Sequence, residues 1–94
     1  MSANTRQITE ADIAGLTKGK AALVRDALKA GRHTVTTDGD VIWFIRWSKH
    51  ADPRILDDSM VLYGDGTAFS LNVHISIAAG LRSHAAMRRC LGLA

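Results

Sequence analysis

Apolar positions along the chain change rhythm twice, and the changes mark its elements. Residues 1–7 are polar and predict a frayed start. Ile8-Thr9-Glu10-Ala11-Asp12-Ile13 then carries the marks of a helix N-terminus. Thr9 can cap the first free amides, Asp12 stands at the third helical position, and Ile8 can meet Ile13 across the cap. Gly15 and Gly19 bracket a break before a second helical stretch, Gly19 to Ala30, and the sequence leaves one kinked helix or two open. Leu23, Val24, Ala27 and Leu28 fall on one side of that stretch, and Gly31 is placed to close it.

From His33 the period becomes two. His33 to Thr37 is rich in β-branched residues, Asp38-Gly39 suits a two-residue hairpin turn, and Asp40 to Trp47 returns. Val41, Trp43, Ile45 and Trp47 share one face of the return strand; Ile42 and Phe44 share the other. Such a strand is expected to be central or covered on both sides, although the two tryptophans could also form an interface. Ser48 to Ser59 reads as irregular, with Asp52-Pro53 opening one helical turn over Pro53–Leu56 and Asp57-Asp58 returning to solvent.

Met60 to Tyr63 and Thr67 to Val73 flank Gly64-Asp65-Gly66. A two-residue Asp65-Gly66 turn sets Leu62 opposite Phe69 and Met60 opposite Leu71. Met60, Leu62, Phe69, Leu71 and Val73 then form the apolar face, with Val61, Tyr63, Ala68, Ser70 and Asn72 behind it. A helix is predicted from Ile75 to Leu91, with Ile77, Leu81, Ala85 and Leu91 on its core stripe and Ala78 at the edge. His84 and Arg88 interrupt that stripe, Arg82 and Arg89 flank it, Gly80 weakens it, and Gly92 can cap it. The predicted class is α+β: an N-terminal helical segment, a four-stranded antiparallel sheet of two hairpins, and a C-terminal helix packed on the sheet.

Composition narrows the class without naming an activity. Ninety-four residues, 47% of them hydrophobic and 22% charged, suit one domain over 1–94. The net charge is +3, from twelve Lys and Arg against nine acids. Every acid lies at or before Asp65, and beyond it the full charges are Arg82, Arg88 and Arg89. Such asymmetry predicts a local positive patch. A lone cysteine, Cys90, fits a reducing compartment. No apolar run approaches the roughly 20 residues that cross a bilayer, and the first residues lack the apolar centre of a signal peptide. The expected location is the cytoplasm of the producing cell, or of a host if the gene travels on a mobile element.

Catalytic patterns fail one by one. Gly15-Leu16-Thr17-Lys18-Gly19-Lys20 is short of a phosphate loop by one residue between its glycines, and Ala21 follows the lysine where Ser or Thr is required. Gly64-Asp65-Gly66 precedes a strand, so it is a turn and not a dinucleotide fingerprint. His33, His50, His74, His84 and Cys90 show no metal-ligand spacing. His84 and Cys90 would not meet within one helix, and the adjacency of Asp57 and Asp58 does not make a general acid–base pair. The expectation is a protein that is not an enzyme, with no cofactor and no metal.

Binding is the remaining class. Arg82, Arg88, Arg89 and His84 on the last helix, with Lys18, Lys20, Arg25 and Lys29 on the second, are the expected partner-binding residues. They predict docking on a protein or nucleoprotein complex through a basic helical surface, by a monomer or homodimer and without a membrane. In size, α+β character and lack of catalytic signature the chain resembles small phage and mobile-element inhibitors of bacterial defence complexes, including anti-CRISPR proteins. The resemblance implies interference with a nucleoprotein complex by occupying one of its surfaces. The alternative is a nucleic-acid-binding or transcriptional regulatory protein. The order helix, helix, hairpin over residues 9–47 is similar to the last helix and wing of winged helix-turn-helix domains, with Lys18, Lys20, Arg25, Lys29 and Arg32 in or beside the second helix. An apolar Trp43-Phe44-Ile45 in the would-be wing counts against it.

Overall fold

A computed structural model describes residues 5–47, 56–72 and 77–93. Its frame is one antiparallel sheet of six strands in sequential order, β1 to β6. The strands are β1 (Arg6–Gln7), β2 (Thr34–Thr37), β3 (Ile42–Trp47), β4 (Leu56–Leu62), β5 (Ala68–Asn72) and β6 (Ile77–Leu81). Helices α1 (Glu10–Ala14) and α2 (Lys18–Ala30) lie between β1 and β2, and α3 (His84–Cys90) follows β6. The expected four-stranded sheet of two hairpins is therefore corrected to a six-stranded meander.

The helical segment forms as its local signals direct. Thr9 caps α1 in a capping box with Asp12. Arg6 adds a bidentate contact, its two terminal nitrogens 2.5 and 2.7 Å from the Asp12 carboxylate, so β1 and α1 are held together. Ile8 and Ile13 on either side of the cap are both buried in the core. Gly15 ends α1, and Thr17 caps a separate α2, which makes two helices. The amide of Gly31 closes α2 onto the Ala27 carbonyl at 3.2 Å.

Both hairpin turns are longer than the two-residue turns expected. Thr37 pairs with Ile42, which leaves Asp38 to Val41 in the loop. The Asp38 carboxylate accepts the amides of Asp40 and Val41 at 2.9 and 3.0 Å, and the buried Thr37 hydroxyl donates to the Val41 carbonyl at 2.8 Å. This side-chain scaffold favours the longer loop. In the β4–β5 turn, Tyr63 N donates to Thr67 O at 2.9 Å and Gly66 N to Tyr63 O at 3.1 Å, enclosing Gly64-Asp65-Gly66. Gly66 has φ +90°, the bulge position of a three-residue hairpin loop that glycine fills without steric cost.

That third loop residue moves the register by one. Leu62 stands opposite Ala68, and Val61 opposite Phe69. A one-residue shift exchanges the faces of a strand. Met60, Leu62 and Ala68 are buried toward the helices, whereas Phe69 is 43% exposed. The predicted apolar face holding Phe69 with Met60 and Leu62 is therefore corrected. The expected placement of Val73 lies outside the described residues.

The core fills the space between one sheet face and the helices. Val35, Ile42, Phe44, Met60, Leu62 and Ala68 meet Ile13, Leu23, Val24 and Ala27 from α1 and α2, and Met87 from α3 with Leu91 just beyond it. Phe44 and Met60 are fully buried directly opposite each other. The other face of β3 carries Trp43 and Ile45, both only half-buried, and the strand is central, as its two apolar faces suggested, being paired with β2 and β4.

The C-terminal third departs furthest from its helical reading. Ile77–Leu81 forms β6 against β5, and α3 begins only at His84. Ser83 caps it, accepting the Ala86 amide at 3.1 Å. Gly80 consequently occupies a strand position opposite Phe69. The helix ends in paired amides, Gly92 N to Arg89 O at 3.1 Å and Leu93 N to Arg88 O at 2.8 Å, with Gly92 at φ +73°. Two further expectations change upstream: Leu56 belongs to β4 rather than a helical turn, and Asp57-Asp58 lie within β4 rather than a loop. Residues 53–55, the rest of the expected turn, lie outside the described residues, as do His50 and His74.

A candidate cationic binding surface

The basic residues sort into two groups once their partners are known. Arg25 is paired with Glu10, which ties α2 to α1. Arg88 donates to Asp26 at 2.7 Å and ties α3 to α2. Both pairs tie the helices of the layer to one another. Together with Arg6 on Asp12, these pairs occupy each acid that the helices carry.

Lys20, Arg82 and His84 form the second group. They come from the first turn of α2, the β6–α3 link and the start of α3, and they line one cleft of about 250 Å³. Thr17, Gly19 and Gly66 complete its rim, and Leu23, Leu62 and Met87 form its apolar floor. Its described lining holds no carboxylate and no cysteine. Lys20 Nζ donates to the Gly64 carbonyl at 2.9 Å, which fixes the β4–β5 loop against α2. Arg82 also borders a second, wider hollow with Asp65, Thr67, Gly80 and Ser83.

Asp65 shares the wider hollow with Arg82, and it is held as an acceptor within its own turn. Its carboxylate takes the Thr67 hydroxyl at 2.6 Å and the Thr67 amide at 2.9 Å. Those bonds, with a smaller contribution from the Lys20 charge, lower its pKa below the ordinary carboxylate value. Asp38 is lowered by the amides of Val41 and Asp40 in the same manner. The Arg6 guanidinium and both polar groups of Thr9 hold Asp12 well below that range.

The remaining expected residues are spread around the cleft. Lys18 and Arg89 are exposed on α2 and α3. Lys29 lies in the last turn of α2, about 16 Å along the helix from Lys18 at 1.5 Å per residue. It is not part of the cleft. Cys90 is half-buried and free of disulfide. Among the described residues no group of three His, Cys, Asp or Glu could hold a metal ion, and no helix is long and apolar enough to cross a membrane.

The β2–β3 hairpin does not project as a wing. Strand β3 is paired along both edges, with β2 and with β4. Sequence reasoning also missed that Lys20 and Arg82 share a cleft. The available signal was Ser83, a helix cap immediately after Arg82 that would have started α3 late and placed Arg82 beside the turn of the neighbouring hairpin.

No protein-family model, no curated protein and no solved structure matches the chain.

Proposed function

We propose that the protein is a non-enzymatic docking module that engages an anionic surface of a protein or nucleoprotein complex. The observation that carries this reading is the convergence of Lys20, Arg82 and His84 on one cleft, beside helices whose acids are already occupied by Arg6, Arg25 and Arg88. The result is a helical layer whose unneutralised charge is positive. Lys18 and Arg89 extend it on α2 and α3.

A cationic rim over an apolar floor suits an acidic group carried on a larger partner. The rim steers encounter and sets orientation, while Leu62 and Met87 beneath it are already buried in the protein's own core. Occupation of such a surface on a defence complex would make the protein an inhibitor of the kind its size and composition resemble. The basic layer also suits a nucleic-acid backbone, and the two partners separate by experiment. Capture from the producing host, repeated after nuclease treatment, retains a protein partner and loses one held through nucleic acid. Lys20→Ala with Arg82→Ala weakens either complex at least tenfold; unchanged capture by that double variant contradicts the reading.

A further inference from the structure

The face of the sheet turned away from the described helices carries a row of side-chain positions that spans all six strands. In register order it reads Gln7, Thr36, Trp43, Val61, Phe69 and Gly80. No member is charged, in a chain of net charge +3. A sheet with helices on one side ordinarily turns polar residues to water on the other. Here Trp43, Ile45 and Val61 are half-buried and Phe69 is 43% exposed. Trp43, Ile45, Thr36 and Thr5 also line an apolar hollow of about 360 Å³ on this face.

We infer that this face is the contact between two copies of the chain, packed sheet on sheet about a two-fold axis. The row itself supports a second copy as the occupant. An axis lying between the sheets, parallel to β4 and passing over Val61, reverses the five positions from Thr36 to Gly80 onto themselves and leaves Gln7 beyond the overlap. Trp43 of one copy then lies over Phe69 of the other, Thr36 over Gly80, and Val61 over Val61. A large ring meets a large ring, a short side chain meets a glycine, and the row itself buries no charge. Two sheets packed this way stand about 10 Å apart with their central strands aligned.

Charge distribution points the same way. The cationic layer lies on the opposite side of the sheet, so pairing through the neutral face keeps the positive surfaces of two copies far apart. It also leaves both clefts outward and open, which makes the assembly bivalent. The area sets its strength. Six strands about 4.8 Å apart and roughly 17 Å long give a plane of about 400 Å² per copy before side-chain relief is counted. Doubled, that is about 800 Å² in total, below the roughly 1,000 Å² of a stable specific interface, so the dimer it predicts is weak and reversible.

Sedimentation equilibrium over a concentration series, from about 1 µM to several hundred µM, tests this directly. The wild-type chain shifts from monomer to dimer, with no larger species. Phe69→Lys stays monomeric throughout, as does Thr36→Lys, which places a charge on the same row while removing a smaller side chain and serves if the first variant fails to fold. A wild-type chain that remains monomeric, or a folded row variant that dimerises undiminished, overturns the inference. Lys20→Ala with Arg82→Ala leaves dimerisation unchanged, so failure of the docking proposal and failure of this one are read separately.

Discussion

Val61 and Phe69 stand directly opposite each other in β4 and β5, and this pairing sends the Phe69 ring to the side of the sheet away from the helices. Its neighbour Ala68 takes the buried place beside Leu62 instead. The register is therefore testable by exchange of faces. Ala68→Asp is expected to destabilise by about 3 kcal/mol, because it buries a carboxylate without a partner. Phe69→Ser is expected to cost only about 1 kcal/mol, since much of that ring is already in water. Chemical denaturation of both variants decides it; a larger loss in Phe69→Ser than in Ala68→Asp would restore the shifted register.

The same turn shows why the fold was only partly legible in the sequence. Gly64-Asp65-Gly66 admits a two-residue turn or a three-residue loop, and both use Asp and Gly. The choice lies in whether Gly66 forms a bulge, which local composition does not settle, and every side chain in β5 changes face with it. At the N-terminus more was legible. Thr9, Asp12 and Gly31 act within a few residues of themselves, so the start of α1 and the end of α2 follow from local chemistry, while the break between them, with its cap at Thr17, stayed open in the sequence. Ile77 to Leu81 is the opposite case. Its apolar spacing fits a helix, and pairing with β5 makes it a strand instead, which is a long-range effect. The cleft required that strand: with helix from Ile75, Arg82 would stand mid-helix and could not close over the β4–β5 turn.

Acid stability should follow the turn and cap carboxylates. Asp12, Asp38 and Asp65 each have a folded-state pKa below the unfolded value of about 3.9. Their stabilisation is complete above that value and is lost as pH falls through it toward the folded-state values. Urea midpoints should accordingly be level near neutrality and fall below about pH 4. Asp12→Asn, which leaves Arg6 without its ion pair, should lower the plateau and flatten part of the acid slope. An acid slope unchanged in Asp12→Asn would remove that residue from the account.

The Arg88–Asp26 pair joins the two helices that bracket the cleft, and its value is modest. The Arg88 and Asp26 side chains are 27% and 46% exposed, so solvent screens the interaction. A double-mutant cycle with Arg88→Ala and Asp26→Ala should give a coupling of about 0.5–1 kcal/mol, decreasing with salt. A coupling of several kcal/mol would mean the pair is more enclosed than its exposure indicates.

Gly92 tests the end of α3. A Cβ built there would lie 2.0 Å from Arg32 Nη1, and the residue has φ +73°. Gly92→Ala should cost about 1–2 kcal/mol from the left-handed backbone alone, plus displacement of the Arg32 guanidinium. Arg32→Ala in the same background should recover only the second part, as thermal unfolding of the single and double variants would show. Full recovery would place the whole cost in the side-chain contact.

The central claim is that the cleft formed by Lys20, Arg82 and His84 is where the protein meets its partner. Its most direct test is quantitative capture from the producing host after nuclease treatment, comparing the wild-type chain with Lys20→Ala/Arg82→Ala and with Phe69→Lys, each verified as folded. The account predicts a defined partner retained by the wild type, reduced at least tenfold by the cleft variant, and still captured by the sheet-face variant. Equal capture by the cleft variant and the wild type would contradict it.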